Sequence, residues 1–230
     1  MNDLSQNKAD SGAIGQSPTA RKIRLGAVKF ADIRQKGSYY ADKTEFLYQI
    51  AIDPDPFFLS RPRRFGKTLL VSTLKCLLEG RRELFKGLWI DQSDYHWTPC
   101  PVIRLEMNLL DNQDISTMKI SLTNMLIIEA MLLGIELKET LPGDMLINLI
   151  SRLYLKSGQA VAVLIDEYDA PIVEHLTDPP LADEFRAYLR KFYGVLKTGK
   201  EALGNVFITG VSRFAQTSIF SKLNNLKDLT

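Results

Sequence analysis

Apolar residues fall into distinct rhythms along this chain. Phe57-Phe58-Leu59, Val161-Ala162-Val163-Leu164-Ile165 and Val206-Phe207-Ile208 are unbroken apolar runs. Continuous hydrophobicity of this kind predicts strands covered on both faces of a parallel sheet. Pro101 to Asn108 alternates instead, and its polar Arg104, Glu106 and Asn108 predict a strand with one face less completely buried. Between these runs the spacing turns helical over Leu69–Leu78, Ser116–Leu133, Gly143–Lys156 and Leu181–Lys197. Strands alternating with helices predict an α/β fold. Its mostly parallel central sheet is built from Phe57–Ser60, Pro101–Asn108, Val161–Ile165 and Asn205–Thr209, with helices on both sides.

Local signals set the boundaries. Asp42, with Glu45 three residues on, reads as the cap of a helix whose apolar face is Phe46, Leu47 and Ile50. Asp53-Pro54-Asp55-Pro56 is a rigid turn that launches the first strand, and Ser157-Gly158 is a helix stop. Arg81 to Ile90 reads as helix or turn packed on the domain, and Trp89 and Trp97 as core or rim residues. Tyr39 and Tyr40 either pack on the core or offer their rings to a ligand. Residues 1–24, rich in Ser, Asn, Gln and Asp, are expected to be a disordered tail. At the other end Ser218 to Thr230 is polar, with Ile219, Phe220 and Leu223 able to pack.

Composition narrows the setting without choosing a partner. A chain of 230 residues with 45% hydrophobic and 24% charged residues has enough to bury one sizeable core. Net charge is +2, with Lys and Arg dispersed, so nucleic acid is not indicated. Cys76 and Cys100 form neither a metal spacing nor a disulfide framework, which suits a reducing cytoplasm. The most apolar helical run, Met125 to Leu133, is short and broken by Glu129, so no membrane span is expected.

Candidate chemistry begins at Arg61-Pro62-Arg63-Arg64-Phe65-Gly66-Lys67-Thr68, between the first strand and a helix. A phosphate chain needs backbone N–H groups in a loop, a helix N-terminus and a lysine. Thr68 is the small hydroxyl positioned to ligate Mg²⁺. The usual G-x-x-x-x-G-K-[ST] pattern lacks its first glycine here, since Arg61 stands at that place. A surface turn opening a helix is the bland alternative.

A second element tips the balance. Asp166-Glu167 closes the Val161 run, at the strand end where open α/β sheets bind ligands. Asp166 would hold Mg²⁺ through its water shell, and Glu167 would polarise an attacking water. Capping of the next segment is the alternative for this pair. Asp169 is a further nearby carboxylate, with a turn or N-cap role equally natural. Thr209 and Ser212 end the last buried strand as candidates to sense a γ-phosphate, and Arg213 could reach phosphate.

Tyr39 to Thr44, Phe58 to Thr68, Ile165 to Asp169 and Phe207 to Phe214 together resemble the AAA-ATPase-like family of bacterial P-loop proteins. The Arg-Pro-Arg-Arg-Phe-Gly-Lys loop is that family's own form of the phosphate loop. The resemblance runs from Leu25 to the C-terminus. It implies a P-loop three-layer sandwich of the additional-strand, catalytic-glutamate type, with ATP and Mg²⁺ as ligands. Lys67, Thr68, Asp166 and Glu167 carry over the family's nucleotide roles, corresponding to its Walker A and Walker B motifs. Arg63, Arg64, Phe65, Gly66 and Leu69 complete the binding loop, and Arg63 or Arg64 could instead serve a neighbouring subunit. Family members continue into a helical lid and often a PD-(D/E)xK nuclease-like domain. Residues 25–230 are therefore expected to be an ATPase region truncated before both. A homo-oligomer or a C-terminal effector domain is the partner implied. The resulting expectation is Mg²⁺-dependent ATP binding with slow hydrolysis; the alternative is a non-hydrolysing nucleotide-bound interaction or switch module.

Overall fold

The computed structural model describes residues 26, 29–197, 201–212, 219–220 and 225–230. The expected tail over residues 1–24, together with Arg213 and Leu223, lies outside them.

Five parallel strands, β1 (Phe57–Ser60), β2 (Val102–Glu106), β3 (Val161–Asp166), β4 (Leu203–Gly210) and β5 (Lys227–Asp228), are ordered β2-β3-β4-β1-β5. The sheet is thus wholly parallel, and β4 is inserted between β1 and β3. Every residue of β1 and β3 is buried, as their continuous apolar runs require. On one face lie α1 (Phe30–Gln35), α2 (Thr44–Ile52) and α3 (Lys67–Leu78), packed on Phe57, Leu59, Ala162, Leu164 and Phe207. On the other lie α4 (Ile115–Leu132), α5 (Pro142–Ser157) and α7 (Pro179–Gly194), packed on Phe58, Val163, Ile165 and Ile208. Between β3 and α7 sits the single turn α6 (Ala170–Val173). This is a three-layer α/β sandwich.

Several boundaries carry their physical cause on the surface. Asp114 caps α4 by accepting the N–H groups of Ser116 and Thr117, both at 2.8 Å. Gly158, at φ 68°, ends α5 in the left-handed region that favours glycine. Asp42 sits one residue outside the cap position of α2 and accepts Thr44 N–H at 2.9 Å. Its second oxygen takes Trp89 N–H at 2.7 Å, so Asp42 also pins the 3₁₀ turn Trp89–Gln92. Arg81 to Ile90 resolves into that turn and another at Arg82–Phe85.

Three expectations are revised. Strand β2 stops at Glu106, and Met107–Leu109 forms a 3₁₀ turn. Part of the polar C-terminal stretch forms β5, whose Lys227 and Leu229 N–H groups bond to the Pro56 and Phe58 carbonyls. Finally, α4 is long and apolar enough to cross a membrane by length and composition, with a mean hydropathy of 1.3. The apolar run reaches back to Ile115, with Lys119 and Glu129 as its charged residues. Here α4 packs Met118, Leu122, Leu126 and Ala130 on the sheet, while Ile128, Met131 and Leu132 remain exposed.

Candidate active site

The carboxyl ends of β1, β3 and β4 meet at one edge of the sheet. The loop after β1 is stitched to the end of β4: Arg61 N–H donates to Gly210 O at 3.2 Å, and Ser60 Oγ donates to Val211 O at 3.1 Å. Arg64 (φ 69°) and Gly66 (φ 76°) both take the left-handed backbone, turning the loop back on itself before α3. A Cβ at Gly66 would meet nothing within 4 Å, so the loop mouth is open above the helix. The first ladder bond of α3 is Leu70 N–H to Gly66 O at 2.9 Å. The amides of Lys67, Thr68 and Leu69 precede it, with the positive end of the helix dipole behind them.

Lys67 is buried, which is costly for an ammonium unless its donors find partners. Its Nζ donates to the carbonyls of Arg61 at 3.0 Å and Pro62 at 3.2 Å, and stands 3.9 Å from Glu167 Oε1. This contact joins the β1–α3 loop to the end of β3. Glu167 has φ 54°, in the left-handed region. Its N–H donates to Thr209 Oγ1 at 3.2 Å. Burial pushes the Glu167 carboxyl above its usual range. Lys67 opposes the rise, Asp166 adds to it, Arg63 opposes it and Asp169 adds the smallest part.

Asp166 is 1% exposed and engaged on both oxygens. Oδ1 accepts the Thr209 hydroxyl at 2.5 Å, and Oδ2 lies 3.7 Å from Arg104 Nη2. Asp169 makes no cap bond to α6; its carboxylate accepts Ser212 N–H at 2.7 Å and Val211 N–H at 3.2 Å. Burial raises its pKa as well, against those amides. Tyr168 reinforces the same turn by donating its hydroxyl to Ser212 O at 2.8 Å. Gly210 lies against that pair, and a Cβ there would fall 2.4 Å from Tyr168 Cε1.

Lys67, Asp166, Glu167 and Thr209 are therefore in direct or relayed contact. Ser212 is tied to the neighbouring Asp169, whose charge acts on Glu167. Thr68 and Leu69 occupy the first turn of α3, where the Leu69 side chain packs on the inner core. Arg63, Arg64 and Phe65 are exposed within the loop. Tyr40 packs edge-on against Phe30 with ring centroids 4.9 Å apart, and its hydroxyl reaches Thr73 Oγ1 at 3.4 Å. Tyr39 is exposed. The fit to a phosphate chain rests on the open Gly66 mouth, the amides behind it and the Lys67 ammonium. For a metal, the donor set is sparse: no three His, Cys, Asp or Glu side chains cluster as a cage among the described residues. A cavity of about 720 Å³ between α4, α5 and α7 shares no residue with this edge.

Sequence reasoning missed Arg104 as a neighbour of Asp166 and the ties from Asp169 and Tyr168 to the end of β4. Arg104, on the polar face of an alternating strand beside the β3 run, is the signal for the first. The Tyr168-Asp169 pair directly after Asp166-Glu167 was the signal for the others.

Comparison with known proteins agrees with this architecture. A protein of Azotobacter chroococcum mcd 1 described as "Uncharacterized protein in vnfD 5'region" is 37% identical over 215 residues, covering 91% of this chain and 41% of that protein. The chain thus spans about two fifths of the length of the relative it matches. A family model described as "Predicted AAA-ATPase" matches residues 24–220, and the chain belongs to that AAA-ATPase-like family.

Proposed function

We propose that this chain is a Mg²⁺-dependent ATP-binding module that hydrolyses ATP slowly. The observation that carries the reading is the Lys67 ammonium, held on two loop carbonyls at the mouth of the loop and 3.9 Å from Glu167. A buried lysine resting on carbonyl oxygens has weak partners that phosphate oxygens outbid electrostatically. Lys67 would leave them to neutralise the β- and γ-phosphates, while the amides from Phe65 to Leu69 cradle the chain. Thr68, and Asp166 through water, would hold Mg²⁺, which supplies charge neutralisation on the transferring phosphoryl group.

Glu167 orients the attacking water. Its raised pKa moves it toward the range where a carboxylate accepts a proton effectively. Thr209 and Ser212, tied to Asp166 and Asp169, are read as the groups that sense the γ-phosphate. Arg63 and Arg64, both exposed, add positive charge for this site or for that of a neighbouring subunit. A homo-oligomer or an effector domain is the partner to which turnover would be coupled. Both free cysteines fit a reducing compartment, and we assign the module to the cytoplasm.

Radiolabelled ATP binding and phosphate release, measured with and without Mg²⁺, test the reading. Lys67→Ala removes a charge-assisted contact and is expected to weaken ATP binding about 100-fold while the fold persists. Unchanged affinity in that variant ends the proposal. Glu167→Gln should bind ATP and stop releasing phosphate. Binding by the wild type with no release in either protein would point to a nucleotide-bound switch without turnover.

A further inference from the structure

The residue the proposed chemistry leaves unexplained is Arg104. It lies on β2, the edge strand beside β3, in a register that sets Arg104 against Leu164 and Glu106 against Asp166. Its side chain is 12% exposed. Nη2 stands 3.4 Å from Glu106 Oε1 and 3.7 Å from Asp166 Oδ2, and Nε finds no hydrogen-bond partner among the described residues. Behind it, the Glu129 carboxylate of α4 accepts the Arg104 N–H at 2.8 Å. A guanidinium this deep normally makes close, forked hydrogen bonds. Here its two carboxylate contacts are long, at 3.4 Å and 3.7 Å.

Which oxygen it faces matters. Thr209 occupies Asp166 Oδ1 at 2.5 Å, so Oδ2 is the oxygen left to face a metal's water shell, and Oδ2 is the one beside Arg104. We propose that Arg104 is a positioning residue that serves as the resident counter-cation of Asp166. It lowers the affinity of this carboxylate for a free divalent cation, so that metal enters together with the nucleotide. The phosphates then supply the negative charge that Arg104 cancels in the nucleotide-free protein. This inference rests on the nucleotide-site reading. The long contacts and the unsatisfied Nε let the guanidinium yield without breaking a tight hydrogen bond.

The test is Mn²⁺ binding by electron paramagnetic resonance on the full chain, without nucleotide and then with a slowly hydrolysed ATP analogue. Wild type should bind free Mn²⁺ weakly and bind it much more tightly with the analogue. Arg104→Gln removes one positive charge near the site and should bind free Mn²⁺ about tenfold or more tightly than wild type. Arg104→Lys keeps the charge and should restore weak binding. Adding Asp166→Asn to Arg104→Gln should abolish the gain, tying it to that carboxylate. Equal free-Mn²⁺ affinity in wild type and Arg104→Gln, with both binding Mn²⁺ plus analogue, overturns the proposal. If Arg104→Gln does not fold, Arg104→Met, which keeps the apolar stem and removes the charge, takes its place with the same expected and overturning results. Failure of wild type to bind Mn²⁺ even with the analogue defeats the nucleotide-site reading itself.

Discussion

The Thr209 hydroxyl lies 2.5 Å from Asp166 Oδ1, both groups fully or almost fully buried on adjacent strands. Thr209 Oγ1 also accepts Glu167 N–H at 3.2 Å, and the Thr209 carbonyl accepts Tyr168 N–H at 2.9 Å. One residue of β4 thus holds three successive residues of the β3 end. It also offsets the left-handed backbone at Glu167, a conformation that costs an L-residue roughly 1–2 kcal/mol.

Thr209→Val keeps the shape and removes the hydroxyl. Asp166 Oδ1 then loses its donor and Glu167 N–H its acceptor in a buried setting. The expected cost is about 2–3 kcal/mol, because one of the abandoned groups is a carboxylate. Thr209→Ser should recover most of it. Urea denaturation midpoints for the three proteins check this, and a Val variant as stable as wild type would show that the hydroxyl contributes nothing.

Gly210→Ala tests the neighbouring close approach. The new methyl would fall 2.4 Å and 2.6 Å from Tyr168 ring carbons and 2.9 Å from Asp169 Oδ1. Tyr168 cannot swing aside easily. Its ring is fully buried against Phe58 and Phe220, and its hydroxyl is tied to Ser212 O. Overpacking of this kind should destabilise by about 3 kcal/mol. A thermal midpoint within a degree of wild type would contradict it.

What local pattern encodes and what it cannot are visible in particular residues. Burial on both faces wrote β1 and β3 into unbroken apolar runs, with Gly66-Lys67-Thr68 following the loop after β1 and Asp166-Glu167 closing β3. Asp114, Gly158 and Pro179 likewise mark helix boundaries through the backbone groups they satisfy or cannot offer. By contrast, β5 is built from backbone pairing with a strand some 170 positions earlier, through bonds such as Lys227 N–H to Pro56 O and Leu229 N–H to Phe58 O, and needs no apolar rhythm. Glu129 interrupts the apolar pattern of α4 because it caps an edge-strand amide contributed by Arg104. Arg104 itself owes its neighbours to the register between β2 and β3, which no single stretch of chain contains.

Asn205 shows the same long-range logic at the opposite end of β4. Its Nδ2 donates to the carbonyls of Ile50 and Asp53, both at 3.0 Å, fastening the end of α2 to the sheet. Asn205→Ala should lose about 1 kcal/mol. Asn205→Asp should lose more, since a carboxylate would face carbonyl oxygens with no proton to offer. Paired urea titrations of the two variants test the order, and an Asp variant more stable than Ala would reverse the argument.

Glu129 gives a prediction whose sign depends on pH. Burial raises its pKa above the ordinary 4.5, outweighing the opposing Arg104 N–H, Lys75 and the Arg104 guanidinium, with Glu79 adding a smaller rise. A carboxyl whose folded pKa is raised binds its proton more tightly when folded. Its contribution to stability is fully present below 4.5 and is lost as pH rises through the folded value. Glu129→Gln keeps an oxygen able to accept Arg104 N–H at every pH and carries no charge to desolvate. Wild type should therefore lose stability relative to Glu129→Gln as pH climbs from 4.5 through that window, after which the gap should hold constant. Urea midpoints of both proteins between pH 4 and pH 8 (a range of about four units spanning ordinary carboxylate titration) measure the difference. Parallel curves would mean that the Arg104 and Lys75 charges fully compensate the burial of the carboxylate.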